Sequence, residues 1–250
     1  MKATAGGHAA HAVQADRNTR TVRAVTFIDS EPTFRPYPFA LSLDSPVAHA
    51  VADARVALAR TPGRFDGPIA FSHGVSPEGA ILCRAGRYAE ALVVFQEPTL
   101  AYRLGFALGV QLFVERPEGV TLFQLRGPSI GRDPLLWTAS ASGGLAPGEG
   151  PLQAVLADAR EEIGLGADDL EDLRPVAICL NDDSGSALVV YQAQLRAGAE
   201  PEPDKVKVAE LHWAARPSNL RAQVSGDTIA CWDAIERRRA QELEPQKTPR

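Results

Sequence analysis

Residues 143–165 read GGLAPGEGPLQAVLADAREEIGL, and the rest of the chain is read outward from them. Pro151 and Gly164 bracket a segment that suits a helix from Pro151 to about Ile163, because proline fits the first helical position and glycine the residue past the last. At about 100° per residue, Leu152, Val155, Leu156, Ala159 and Ile163 form one apolar stripe, while Asp158, Glu161 and Glu162 gather on nearly the opposite side. One face is expected to meet a core and the other to carry acid.

Carboxylates at i, i+3 and i+4 repel one another. For an arbitrary acidic triplet a solvated helix face is the default reading, and the alternative is a hard divalent cation, Mg²⁺ or Mn²⁺, which oxygen-only ligands suit. The whole stretch favours the cation, because it resembles the Nudix box, the metal-binding loop and helix of Nudix hydrolases, G-x5-E-x7-R-E-U-x-E-E-x-G-U with U aliphatic. Gly143, Glu149, Asp158, Glu161, Glu162, Gly164 and Leu165 fall on that pattern without a gap. Ala157 stands where the pattern has Arg, Asp158 where it has the first Glu, and Ala159 is small for its aliphatic slot.

The resemblance covers roughly residues 100–222. It implies an α/β fold, an α/β/α sandwich with a mixed sheet between helices, preceded here by a small α+β region over 21–100. Asp158 and Glu162 are the expected primary metal ligands, with Glu161 a further ligand or the base, and Glu149 a supporting catalytic carboxylate from the loop. At Gly143 and Gly144 the backbone can come close to metal or phosphate. The Asp is shorter than Glu by roughly 1.5 Å of reach. Arg160, about 60° round the helix from Ala157 and away from the acid, is a poor substitute for the missing Arg.

Within the superfamily the chain is similar to the animal enzymes that cleave UDP-glucose and UDP-galactose. The shared features are an N-terminal α+β extension, a box helix without the Arg, and an Asn with an acidic residue in the hairpin after the helix, here Asn181 and Asp182, which are the expected substrate-binding pair together with Gly144. The implied reaction is hydrolysis of a nucleoside diphosphate linked to another group, a UDP-sugar giving UMP and sugar 1-phosphate. A Nudix-fold binding module without turnover is the second reading. A diphosphate isomerase, suggested by the run LWTASASGG at 136–144, is third, since that chemistry uses a cysteine in this strand and none is present.

Composition bounds these readings. The chain has 250 residues, 45% hydrophobic and 23% charged, with a net charge of −5, which is the profile of a globular protein with a substantial core and gives no basic footprint for nucleic acid. Cys83, Cys179 and Cys231 are odd in number and widely spaced, so free thiols are expected rather than a disulfide framework or zinc site. No apolar run is long enough to span a bilayer and the first residues carry no signal-like segment, so a cytoplasmic chain acting on a small molecule, without membrane or nucleic-acid partners, is expected. Composition is silent on oligomeric state.

Taken in order, residues 1–20, including His8 and His11, read as a disordered tail, and 242–250 as another. A strand is expected from Thr21, then a proline-broken stretch at 34–43, and a helix from Ser45 to about Ala59. A hairpin around Ser76–Gly79 follows, with His73 beside its turn, and AEALVVF at 89–95 reads as a further strand. The Nudix module with its C-terminal helix then occupies 101–241. It opens with a hairpin of FALGVQLFVER and VTLFQLRG, continues after the box with strands on either side of Asp182–Gly185 and one over VKVAELHWA, and ends in a helix from Asp227 to about Gln241.

Overall fold

Strand β5, Phe106–Glu115, is buried at every residue, the pattern of a strand covered on both faces. In the computed structural model, which describes residues 22–39, 41, 43–61 and 64–243, the strands in chain order are β1 (Val22–Phe27), β2 (Phe34–Pro36), β3 (Pro68–Val75), β4 (Ile81–Arg87), β5, β6 (Thr121–Arg126), β7 (Trp137–Thr138), β8 (Ala141–Gly144), β9 (Leu170–Asn181), β10 (Ser186–Leu195) and β11 (Val208–Ala214). The helices are α1 (Ser45–Arg60), α2 (Tyr88–Gln96), α3 (Ala101–Leu104), α4 (Pro151–Ile163) and α5 (Gly226–Leu243).

The main path of the sheet runs β1-β9-β10-β5-β3-β4-β2. Strand β10 lies parallel to β5 and antiparallel to β9, and β2 parallel to β4, so the sheet is mixed. The residues before 100 extend it at both ends: β1 pairs with β9, and β3 joins β5 at Phe71–Ala107 and Ser72–Phe106. Prolines at 36 and 38 confine β2 to a three-residue edge strand, the place where a missing N–H costs least.

Side chains alternate across β5 as a strand requires. Leu108, Val110, Leu112 and Val114 enter a core with Val51 and Leu58 of α1, Val94 of α2, and Val155 and Ile163 of α4. Phe113 enters a second core with Phe123 and with Cys231, Trp232 and Ile235 of α5, its ring 5.8 Å from Trp232. Helices therefore cover both faces, and the architecture is the expected α/β class. Cys179 and Cys231 are buried, Cys83 is half-buried, and all three are free. Among the described residues no helix is long and apolar enough to cross a membrane.

Two sequence expectations need correction, and a third holds in a shorter form. AEALVVF is helical, as part of α2. A short apolar run has no period that separates buried strand from buried helix, and acidic side chains at the start settle it: Arg87 N–H donates to Glu90 Oε1 at 2.9 Å and Ala89 N–H to Asp66 Oδ1 at 2.8 Å, satisfying groups that a helix start leaves open. The expected hairpin of β5 and β6 is present but short, pairing at Glu115–Thr121 and closed by Arg116 N–H donating to the Val120 carbonyl at 2.9 Å, because β5 gives its edge to β8 while β6 pairs with β7 and β11. Residues 242 and 243, read as tail, belong to α5. The remaining expected tail residues, 1–20 with His8 and His11 and 244–250, lie outside the described residues.

Candidate active site

Helix α4 spans Pro151–Ile163 and stops at Gly164, whose φ of 69° is the left-handed conformation that favours glycine. Its first turn is held from elsewhere in the chain. Leu152 N–H donates to Glu31 Oε1 at 2.9 Å, and the same carboxylate accepts from Tyr191 Oη on β10 at 2.9 and 2.8 Å.

Glu162, on the acidic side of the helix, does not face open water as expected from the helical projection alone. Glu162 is 8% exposed, whereas Leu152 of the apolar stripe is 39% exposed. The helix is rolled toward β8, where polar groups receive the acid: Glu162 Oε2 accepts from Gln124 Nε2 at 2.6 Å and from Ser142 N–H at 3.0 Å. Burial raises the Glu162 carboxyl, opposed by those two hydrogen bonds and the charges of Arg126 and Lys207.

Asp158 lies flat against the strand. A Cβ added at Gly143 would sit 2.2 Å from Asp158 Oδ2, so glycine is what lets the Asp158 carboxylate occupy this place. Burial, then the charge of Glu162, with smaller contributions from Glu161 and Glu149, pushes the Asp158 carboxyl up to about 7 against the opposing charge of Lys207. Glu149 closes the loop before the helix by accepting from Ala146 N–H at 3.0 Å. Glu161 is exposed and pairs with Lys207 Nζ at 2.6 Å.

The structure thus gathers Gly143, Glu149, Asp158, Glu161 and Glu162 at one end of β8, yet turns each carboxylate to a different neighbour. Among the described residues no three acidic, histidine or cysteine side chains converge as a ready metal-ligand set. The donor chemistry nevertheless fits a hard cation, being oxygen throughout, and the burial and neighbouring negative charge that lift Asp158 are what a cation would offset.

On the same strand a cavity of about 150 Å³ is lined by Ser142, Gly143 and Gly144 and bounded by Gln111, Arg126 and Arg132. Arg126 bridges acid and cavity, donating through Nη1 to Ser142 Oγ at 3.3 Å and through Nε to the Arg132 carbonyl at 3.0 Å. Arg132 donates to Asp227 Oδ2 at 2.6 Å and Ser186 Oγ at 2.8 Å, with its guanidinium 3.9 Å from the Phe95 ring centroid. Gln111 is 3% exposed and its Oε1 has no hydrogen-bond partner.

Asn181 and Asp182 sit one step back from this cavity. Asn181 Nδ2 donates to Asp227 Oδ1 at 2.7 Å, as does Ser184 Oγ at 2.6 Å, so Asn181 reaches the cavity through Asp227, which lines it. Asp182 Oδ1 is buried without a partner. Gly144 lines the cavity directly. Sequence reasoning missed Glu31, Phe95, Gln111, Gln124, Arg126, Arg132, Lys207 and Asp227. Each is a single polar or aromatic residue whose role comes from strand pairing or loop closure, and no local spacing marks it.

Fold and site together define an α/β protein with an acidic helix and a cavity meeting at one strand. No family model and no curated protein matches the chain. Among solved structures it is similar to a protein from Deinococcus radiodurans at 20% identity, covering 67% of this chain and 99% of that one with a TM-score of 0.48. It is also similar to a MutT Nudix hydrolase from Burkholderia pseudomallei, at 19% identity, 52% and 97% coverage and a TM-score of 0.41. An Ap4A hydrolase from C. elegans follows at 16% identity, 54% and 97% coverage and a TM-score of 0.41.

Proposed function

We propose that the chain is a divalent-cation-dependent hydrolase of a nucleoside diphosphate linked to another group, with a UDP-sugar as first candidate, cleaved to UMP and sugar 1-phosphate. The observation that carries this reading is the packing of Asp158 onto Gly143 beside Glu162, at the strand that also lines the cavity. It agrees with the resemblance of residues 143–165 to the Nudix box.

Asp158 and Glu162 are the primary residues to hold Mg²⁺ or Mn²⁺, with Glu161 as a further ligand or the base and Glu149 in support. A bound cation supplies Lewis-acid charge on diphosphate oxygens and an activated water. The chain's own groups do the rest. Ser142 N–H and Gln124 fix the orientation of Glu162. Arg126, beside Ser142, carries positive charge toward a phosphate, against the net charge of −5 of the chain as a whole. Gly144 leaves the backbone open there. Gln111, Asp133, Asp227 and Arg132 line the cavity with acceptors and a largely neutralised cation, a lining suited to an uncharged, donor-rich group such as a sugar or a base edge rather than to a second phosphate. Asn181 supports that wall through Asp227, and Asp182 follows it in the same turn.

Incubation with Mg²⁺ and a panel of UDP-sugars, ADP-ribose, dinucleoside polyphosphates and coenzyme A, with products separated by ion exchange, tests the proposal. UMP plus sugar 1-phosphate, abolished by Glu162→Gln, supports it. The second reading, a nucleotide or nucleotide-sugar binding module, draws on the satisfaction of Glu149, Glu161 and Glu162 by protein donors. Binding of a panel member without metal and without cleavage would decide for that module.

A further inference from the structure

Position 157 is the i−4 neighbour of Glu161 on α4, the place from which a cation on the same helix would reach that carboxylate. Ala157 supplies none, and the Arg160 guanidinium lies beside Gly166 instead. The cation that does reach Glu161 is Lys207, at 2.6 Å, from the segment that leads into β11.

That segment is fastened to the helix it serves. Glu202 N–H donates to the Ile163 carbonyl and Asp204 N–H to the Glu162 carbonyl, each at 2.9 Å, which satisfies groups that the last turn leaves open. Asp204 Oδ1 then accepts from Val206 N–H at 2.8 Å and Lys207 N–H at 3.0 Å, and the Lys207 carbonyl accepts from Gly127 N–H at 2.7 Å. The backbone of Lys207 is therefore set relative to the acidic end of α4, unlike that of a lysine on a free surface loop. Its charge also acts on Asp158 and Glu162.

We propose that Lys207 is the built-in counter-ion of the acidic helix: it brings to Glu161 the charge that position 157 lacks, and it competes there with a divalent cation. This rests on the cation-site reading of Asp158, Glu161 and Glu162 given above. Lys207 is a positioning residue in this account, acting through Glu161. It keeps the carboxylates together without metal and lowers the affinity with which they take one. A unit charge held beside carboxylates that take a divalent cation near water, screened by salt, changes cation binding by roughly three- to tenfold.

Calorimetric titration of the full chain with Mn²⁺, without substrate, tests this on the wild type, Lys207→Met, Lys207→Arg, and the double variant Lys207→Met with Ala157→Arg. Lys207→Met should bind Mn²⁺ roughly three- to tenfold tighter, Lys207→Arg should match the wild type, and the double variant should return toward it because the charge is restored at 157. Thermal unfolding of each variant checks that the fold is kept. Unchanged or weaker binding by a folded Lys207→Met, or a double variant that stays tight, would overturn the counter-ion role. Failure of every variant to bind Mn²⁺ would overturn it together with the hydrolase proposal. Mn²⁺ binding with the expected ranking but no cleavage of any nucleotide would remove the hydrolase reading alone.

Discussion

Glu31 joins the N-terminal segment to both the sheet and the acidic helix, and removing it tests how the site is held. Its carboxylate accepts from Tyr191 Oη and from Leu152 N–H. The Tyr191 ring is buried, with a residue exposure of 0%, and burial, reinforced by the Glu31 hydrogen bond, raises the phenol above its ordinary range. Glu31→Ala leaves a buried hydroxyl without its acceptor, at a cost of about 1–3 kcal/mol. Tyr191→Phe removes the hydroxyl as well as the bond, so its cost should be smaller. The double variant should then be no worse than Glu31→Ala alone, since it also removes the orphaned hydroxyl. For a chain of this size about 2 kcal/mol corresponds to a fall of roughly 4–8 °C in the unfolding midpoint, measurable by circular dichroism. Costs that simply add in the double variant would refute the coupling and mean that Glu31 acts through Leu152 alone.

Gly143→Ala places a Cβ 2.2 Å from Asp158 Oδ2, so the carboxylate must move; about 1–3 kcal/mol of stability should be lost, and Mn²⁺ affinity by calorimetry should fall more than for Gly150→Ala, whose Cβ would meet no neighbour. Asp227→Asn removes one charge from the Arg132 pair, and the expected result is a raised KM for the nucleotide with little change in kcat, read from initial rates. His73 stacks on Tyr37 with ring centroids 3.7 Å apart, and burial, with the Arg84 charge beside it, lowers its pKa from 6.5 to about 4. The unfolded chain therefore takes up a proton that the folded chain refuses, so stability should fall as pH drops from about 6.5 to about 4 and level off below, a component that His73→Phe should remove from the denaturation midpoints.

What the sequence revealed is what short-range chemistry encodes. The helix at Pro151–Ile163, its glycine stop and the hairpin at Asp182–Gly185 appear where proline, glycine and aspartate place them. The acidic cluster was visible as a spacing, but the burial of Glu162 was not, because the roll of α4 toward β8 depends on Gln124 and Ser142 from other strands. Helix α2 was misread because its start is secured by Asp66, far back in the chain. Lys207 was invisible for the same reason: only the backbone bonds of Glu202 and Asp204 to α4 bring it to Glu161. Long-range closure, rather than local propensity, supplies the cavity wall formed by Phe95, Arg132 and Asp227.

The most direct measurement is the release of UMP from UDP-glucose by the wild type and by Glu162→Gln, with Mg²⁺ and with the metal chelated. Glu162→Gln keeps the shape of the side chain while removing its charge, and thermal unfolding confirms that the variant is folded. Metal-dependent release of UMP and glucose 1-phosphate in equal amounts by the wild type, lost in the variant, is the predicted result. Release that persists at the wild-type rate in Glu162→Gln, or that ignores chelation, would contradict the account.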